Sequence, residues 1–326
     1  MHTKKRGEMF MKKQTVIGNT PMINIKYTYK GKESNVYVKL EMYNITGSIK
    51  DRVAYYIINK AKERGVLQDN MPIIEATSGN TGISLSALGA LYNNPVYIFM
   101  PDWVSKERIK IMELYGAKVT LVSKEEGGFL ECINRANTLA KSINGFTTNQ
   151  FENKDNITAH YETTAKELID KLPQIDSFIS GVGTGGTIMG VAKRLKEKNE
   201  KIKILALEPS SLPIISKGVK TGNHKIEGIG DEFMPKILDT NLIDDVILVE
   251  DIDAINMAKK LASKLGLGVG ISSGANFLGA IMANQNNIAT IFSDDLKKYL
   301  TTDLTEKITS KNLISNQIEL IDYEIL

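Results

Sequence analysis

The sequence predicts an α/β protein of two interwoven domains, each a mostly parallel sheet flanked by helices. Three observations carry this. Short apolar runs alternate with amphipathic segments along the chain, as strands joined by helical crossovers do. The length, 326 residues and 36.1 kDa, corresponds to about two domains. No glycine/serine linker, internal repeat or low-complexity block separates them, so the two units are interleaved or closely abutted.

The strands are expected at residues 35–42, 72–76, 95–101, 118–122, 176–182, 203–209 and 288–293, each a short run rich in Val, Ile, Phe and Tyr. The helices are expected at 53–65, 81–92, 106–116, 165–172, 190–199, 255–266 and 275–283. Gly65, Gly116 and Gly266 each follow a periodic stretch, as helix-ending glycines do. The chain from Asn312 onward carries no clear role and reads as a C-terminal extension.

Composition excludes several function classes. Hydrophobic residues are 42% and charged residues 24%, an ordinary globular mix. A net charge of +3 lacks the basic footprint of a nucleic-acid binder. One cysteine, Cys132, permits no intrachain disulfide and fits a reducing compartment. His2, His160 and His224 lie far apart and give no zinc-ligand spacing, so no metal is expected. No apolar run approaches a membrane span, and the basic start MHTKKRGEMFMKK lacks a signal peptide's apolar stretch. The expected location is the cytoplasm.

Four small-residue loops carry the candidate chemistry. In Asn44–Arg52, a helix starting near Ser48 places Lys50 in its first turn, with Ser48 as N-cap. A lysine aimed from there into an interdomain cleft is desolvated, which lowers its pKa and makes the amine a Schiff-base nucleophile. The plainer alternative is a solvated lysine at a helix start. In Glu75–Gly82, Thr77, Ser78, Asn80 and Thr81 surround a helix N-terminus, a ready anion site suited to a carboxylate, or simply a capping turn.

The third loop, Gly181–Thr187, follows a strand and opens a helix. Its backbone N–H groups suit a phosphate. It also satisfies GxGxxG, and Glu208 stands where a dinucleotide's ribose would need an acid. A dinucleotide, a phosphate monoester and a purely structural turn all remain open on this motif alone. The fourth, Gly270–Gly274, matches the GxSxG nucleophile elbow. No histidine follows His224 to complete the triad, so Ser272 reads as a hydrogen-bonding residue.

Together the loops resemble one family: the pyridoxal-phosphate (PLP) enzymes of the tryptophan-synthase-β type, in the cysteine synthase and cystathionine β-synthase branch. The likeness runs from about Ile17 to Tyr299. It includes Ile17-Gly18-Asn19-Thr20-Pro21, GSIKDR, EATSGNTG, Gln150-Phe151-Glu152-Asn153, GVGTGGT, Glu208-Pro209, Glu227-Gly228-Ile229-Gly230, GISSG and Tyr299-Leu300.

The resemblance implies PLP in a cleft between the domains, a small amino-acid substrate and a homodimer. It implies a smaller domain at 41–150 and a larger one built from 1–40 plus 151–326, with no room for a haem-binding extension or regulatory domain. Lys50 would be the Schiff-base lysine and the base for the Cα proton. Asn80 would bond the cofactor's 3′ oxygen. Gly183, Thr184, Gly185, Gly186 and Thr187 would cradle its phosphate, and Ser272 would face the pyridine nitrogen. Thr77, Ser78, Thr81 and Gln150 would hold the substrate carboxylate. A hydroxyl at the pyridine nitrogen suits β-elimination and replacement more than transamination. The reference reaction is O-acetylserine plus sulfide giving cysteine.

Three places depart from the family pattern. Ile45-Thr46 stands where relatives usually have Pro-Gly, which is expected to alter loop stiffness only. Asn153-Lys154-Asp155-Asn156 replaces Asn-Pro-Ala-Asn in a turn. Asp231 replaces an alanine or tyrosine in a loop over Cβ. An acid there bonds a thiol leaving group or activates water as a general base, and it repels HS⁻. The leading expectation is β-replacement of the cysteine synthase kind on a three-carbon L-amino acid; the alternative that Asp231 raises is a cysteine lyase that releases H2S from L-cysteine, with water or a second thiol as nucleophile. If Asp231 instead points to solvent, the enzyme is a plain cysteine synthase. A nicotinamide-dependent oxidoreductase accounts for GVGTGG alone and leaves Lys50 and Thr77–Thr81 without a role.

Overall fold

The structure is a computed structural model that describes residues 16–326. The basic start and His2 lie outside the described residues.

Two sheets organise the chain. The larger is formed by β1 (Met22–Tyr29), β2 (Lys32–Leu40), β7 (Ser177–Gly181), β8 (Lys203–Pro209), β9 (Asp245–Val249), β10 (Ile288–Phe292) and β11 (Ile318–Ile325). Its order is β11-β1-β2-β10-β7-β8-β9. The run from β2 to β9 is parallel, and β1 and β11 close one edge antiparallel. The smaller sheet contains β3 (Ile73–Ala76), β4 (Val96–Pro101), β5 (Lys118–Val122) and β6 (Phe146–Thr147), all parallel, in the order β5-β4-β3-β6.

Parallel strands are buried on both faces, which requires helices on both sides. In β8, Leu205 and Leu207 enter one apolar core while Ile204 and Ala206 enter the other. The first core is covered by α9 (Asp251–Leu265) and α10 (Ile271–Ala283). The second is covered by α6 (Ala165–Lys171) and α7 (Gly186–Lys198). The smaller sheet is sandwiched in the same way. On one face lie α1 (Lys50–Glu63), α2 (Asn80–Tyr92) and α3 (Lys106–Leu114); on the other lies α4 (Gly128–Ser142). A short α5 (Lys154–Ala159) continues through a π-helical stretch, His160–Thr164, into α6, and α8 (Ile214–Lys217) follows β8.

Each predicted strand and helix is present, with bounds shifted by a few residues. The expected C-terminal extension is a strand: β11 pairs with β1 from Ile23 opposite Ile325 to Tyr29 opposite Ile318. The first helix starts at Lys50 rather than near Ser48, although Ser48 Oγ still accepts the Lys50 amide at 3.3 Å. Among the described residues no helix is long and apolar enough to cross a membrane.

The four candidate loops all leave the carboxyl ends of parallel strands or open a helix beside them. β7 and β10 are neighbours from which the chain departs in opposite directions, and open α/β sheets bind ligands at such a point.

Candidate active site

A cleft of about 940 Å³ is lined by Lys50, Thr77, Ser78, Asn80, Thr81, Gln150, Gly183, Thr184 and Asp231. A small inner cavity shares Lys50, Asn80, Gly183 and Thr184 and adds Gly185, Thr187 and Ser272. Every candidate cofactor- or substrate-binding residue except Gly186 lines one space or the other. Gly186 is buried at the start of α7.

Lys50 is the first residue of α1. The preceding turn is fixed by the segment that follows β10: Ile49 N–H donates to Ser293 O at 2.9 Å, and Lys298 Nζ donates to Gly47 O at 2.9 Å. Burial lowers the Lys50 pKa, opposed by the charges of Asp294 and Asp231 and reinforced by Lys298. The lysine is therefore desolvated and poised as a nucleophile and base, not a solvated helix-start residue.

The Thr77–Thr81 loop joins β3 to α2. Thr81 Oγ1 donates to Gln150 Oε1 at 2.6 Å, and Gln150 Nε2 donates to Ala76 O at 3.1 Å. Gln150 thus braces the loop from behind. Glu75 sits beneath both segments and accepts hydrogen bonds from Ala76 N and the Thr148 hydroxyl; burial pushes its carboxyl up to about 7. Arg108 packs so closely that a Cβ on Gly79 would lie 2.2 Å from its Cδ.

In the glycine loop, Gly185 has φ +85°, a conformation that favours glycine. A Cβ on Gly186 would meet Asn156 Oδ1 at 1.8 Å, and one on Gly183 would meet Gly228 O at 2.4 Å. His160, presented by the π-helical stretch, approaches Thr164 Oγ1 with Nδ1 (2.9 Å) and Thr187 Oγ1 with Nε2 (3.2 Å). Burial, with Arg52 and Lys50 nearby, lowers its pKa to about 3, so the ring is neutral and has one donor and one acceptor to share.

Glu208 is not available to a ribose. Its carboxylate accepts Ile215 N at 2.7 Å and Ser216 N at 3.0 Å, capping α8. The dinucleotide reading of the glycine loop fails on this point.

Asp231 lies on the loop that follows Glu227. Phe233 pins this loop against the smaller sheet's side, 4.9 Å from Phe151 and 6.3 Å from Phe129, ring centre to ring centre. Gly230 N donates to Val182 O, and His224 Nε2 donates to Gly230 O at 2.6 Å. Asp231 is half-buried, and the cleft is what it faces. Burial raises its carboxyl to about 6, while the Lys50 charge pulls it down.

Sequence reasoning assigned no role in the site to Asp294, Arg108, Glu227, Asn156 or His160. Asp294 Oδ2 accepts Asn80 Nδ2 at 2.7 Å and the Tyr299 hydroxyl at 2.8 Å. Arg108 stacks on Tyr299 at 4.6 Å, pairs with Glu227 and lies 3.9 Å from Asp294. A lone Asp after a strand has no spacing rule that assigns it.

The donor set fits a phosphorylated pyridoxal. A desolvated lysine shares the inner cavity with a helix-start glycine loop, with Ser272 and with the Asn80 amide. Among the described residues no group of acidic, His or Cys side chains is placed to hold a metal.

Fold and site therefore define a cofactor-dependent α/β enzyme with a lysine at the cleft between two sheets. The chain belongs to the pyridoxal-phosphate dependent enzyme family, whose pattern matches residues 13–294. It is a PLP-dependent enzyme of the β-replacement type, in the cysteine synthase and cystathionine β-synthase branch. It is 44% identical over 295 residues to cysteine synthase B of Campylobacter jejuni, covering 89% of this chain and 96% of the relative. A hydrogen sulfide-producing enzyme of Fusobacterium nucleatum is 45% identical, with a TM-score of 0.94 over 98% of this chain and 99% of that one. An aspartate-to-asparagine variant of that enzyme, complexed with an α-aminoacrylate intermediate, matches at the same identity and coverage with a TM-score of 0.95.

Proposed function

We propose that the enzyme breaks down L-cysteine with water, releasing H2S and forming L-serine. The observation that carries this is Asp231: a carboxyl in the cleft, electrostatically coupled to Lys50, with no hydrogen bond among the described residues. It is raised to about 6, so it is mostly ionised at neutral pH and basic enough to accept a proton. The Fusobacterium nucleatum enzyme is named for H2S production, and its aspartate-to-asparagine variant holds an intermediate.

PLP supplies the electron sink for charge developing at Cα. Gly183, Thr184, Gly185, Gly186 and Thr187 would hold its phosphate at the start of α7. Ser272 would serve its ring nitrogen, and Asn80 its 3′ oxygen. Thr77, Ser78 and Thr81 hold the substrate carboxylate at the α2 N-terminus, with Gln150 bracing them. Lys50 takes the Cα proton as the Cβ–S bond breaks and the electron pair leaves with sulfur. Asp231 takes a proton from water as the hydroxyl bonds to Cβ. HS⁻ takes a proton from solvent and leaves as H2S, Asp231 gives the proton from water back to solvent, and Lys50 returns its proton to Cα.

The second reading is O-acetylserine plus sulfide giving cysteine, favoured by the 44% identical cysteine synthase B. Asp231 argues against it, since a carboxylate over Cβ repels HS⁻. Incubating the holoenzyme with L-cysteine and assaying H2S, serine and lanthionine separates them. Equal H2S and serine is the expected result. Lanthionine in place of serine assigns a second thiol as nucleophile. Negligible H2S, with rapid cysteine formation from O-acetylserine and sulfide, overturns the proposal. The same reading places the smaller domain at 41–150 and the larger at 1–40 plus 151–326, in a cytoplasmic homodimer.

A further inference from the structure

Asn80 is oriented by a group that the β-replacement chemistry does not by itself require. Its Nδ2 donates to Asp294 Oδ2 at 2.7 Å. A carboxylate only accepts, so the amide nitrogen must face it. That leaves the second Nδ2 hydrogen of Asn80, a residue that shares its cavity with Lys50, to donate elsewhere, while Oδ1 is buried with no hydrogen-bond partner among the described residues.

Asp294 is fully buried where the chain leaves β10, against the start of α10: a Cβ on Gly270 would lie 2.1 Å from its Oδ1. The Tyr299 hydroxyl donates to it at 2.8 Å, and burial with the Asp294 charge raises the Tyr299 pKa, so the phenol keeps its proton. Arg108 lies 3.9 Å away, but Glu227 already pairs with that guanidinium.

We propose that Asp294 is a positioning residue: its carboxylate locks the Asn80 amide and stabilises positive charge on the Lys50 nitrogen. The charged groups around Lys50 are Asp294, Asp231 and Lys298, and Asp294 is the strongest of them. Around Asp294 stand Arg108 from α3, and Asp295, Lys298 and Tyr299 from its own segment. His160 is neutral, and Ser272 carries no charge. Asp295 does not act on Lys50; Lys298 opposes a proton on the Lys50 nitrogen and Asp294 favours it, so that proton is favoured while the Asp294 charge is present.

The consequence is spectroscopic and needs no turnover. The protonated lysine–cofactor linkage absorbs in the visible, and loss of its proton moves the band to shorter wavelength. Asp294→Asn keeps the shape and removes the charge. Its holoenzyme is expected to lose the visible band at a pH lower than the wild type by about one unit or more, a tenfold change in proton concentration. Tyr299→Phe keeps the carboxylate and removes a donor that disperses its charge. Its band is expected to persist to the same pH as the wild type or higher. Asp231 is unchanged in both, so it does not contribute to the difference. An Asp294→Asn holoenzyme whose band persists as far as the wild type's overturns the proposal. So does a Tyr299→Phe holoenzyme that loses its band early, because general disruption would move both variants the same way.

Discussion

Thr46 Oγ1 donates a 2.6 Å hydrogen bond to Asp51 Oδ1, tying the loop before Lys50 to the residue after it. The Thr46 amide bonds the other oxygen of the same carboxylate at 2.8 Å. Ser84 on α2 donates to Asp51 Oδ1 at 2.6 Å, so Asp51 joins the lysine loop to the helix that opens from the carboxylate site. The substitution of Pro-Gly by Ile45-Thr46 therefore does more than change stiffness: it adds a side-chain donor. Thr46→Val removes the hydroxyl and leaves a buried carboxylate short of one donor. The expected loss is about 1 to 3 kcal/mol, read by denaturant unfolding of the holoenzyme, with Ser84→Ala costing a similar amount. No loss in either variant would show that Asp51 is satisfied without them.

A second lock is made by the very next residue. Arg52 is forked by Glu41, with Nε 2.7 Å from Oε2 and Nη2 3.0 Å from Oε1, and by Glu167 at 2.7 Å. Lys39 completes the cluster, 2.6 Å from Glu167. All but Glu167 are fully buried, and Glu167 is nearly so. Removing one partner of such a cluster strands a charge, so Glu41→Gln is expected to destabilise the protein by about 3 to 5 kcal/mol. Glu167 is depressed to about 2 by Arg52 and Lys39. A depressed carboxyl contributes stability above its ordinary pKa and loses it as pH falls through the folded value. Acid unfolding of the wild type should therefore steepen between about 4 and 2. An Arg52→Met variant should lack that steepening.

Glu75 acts in the opposite direction. Its folded value is raised to about 7, so the protein favours the neutral acid. Stability tied to this group is present at low pH and is lost as pH rises from the ordinary carboxyl range through about 7, to a total of roughly 3 kcal/mol. Melting of Glu75→Gln and wild type at pH 5 and pH 8 reads this directly. The variant's change between the two should be smaller, because its amide does not titrate. Equal changes would mean that the donors from Thr148 and Ala76 keep Glu75 ionised throughout.

Much of this architecture was legible because parallel strands write themselves as short β-branched runs, and their loops need small residues at fixed places. Residues 203–209 and 288–293 are examples. What escaped had no such signature. β1 (MINIKYTY) places Asn and Lys among its apolar residues, and they read as surface chain until β11 is seen to cover them: Asn24 bonds Glu324 across that pairing. The α4 helix opens on two glycines with positive φ, Gly127 and Gly128, which look like a turn rather than a start. In the site, motifs located the groups that face the cofactor. They did not locate those that hold them, such as Asp294 on Asn80 or Asn156 on Thr184 (2.9 Å), because support arrives from distant segments through tertiary packing.

The glycine loop makes a sharper demand than phosphate binding alone. A Cβ at Gly183 would sit 2.4 Å from Gly228 O, a backbone atom that cannot swing aside. Gly183→Ala must displace either the phosphate loop or the loop leading to Asp231. PLP affinity, measured by titrating the apoenzyme, should fall by about tenfold or more, equivalent to ~1.4 kcal/mol. H2S release should fall with it even at saturating PLP. Normal affinity with normal turnover would show that the two loops move together without cost.

Asp231 gives the most direct test of the reaction. Its carboxyl must be ionised to take a proton from water, and its folded value is about 6. H2S and serine production should therefore fall as pH drops through about 6, with a slope of one proton. Asp231→Asn keeps the shape but cannot accept that proton. Lys50 still removes the Cα proton and sulfur still leaves, so the variant should release about one H2S per site rapidly and then stall, because water is no longer activated. Turnover falls by roughly 10²- to 10⁴-fold, the ordinary contribution of a positioned general base. Adding a small thiol to the stalled enzyme should restart it by supplying a stronger nucleophile, giving a thioether in place of serine. A variant that shows no burst, or one that turns over at the wild-type rate, would remove Asp231 from the water step. A burst followed by thiol rescue would place it there.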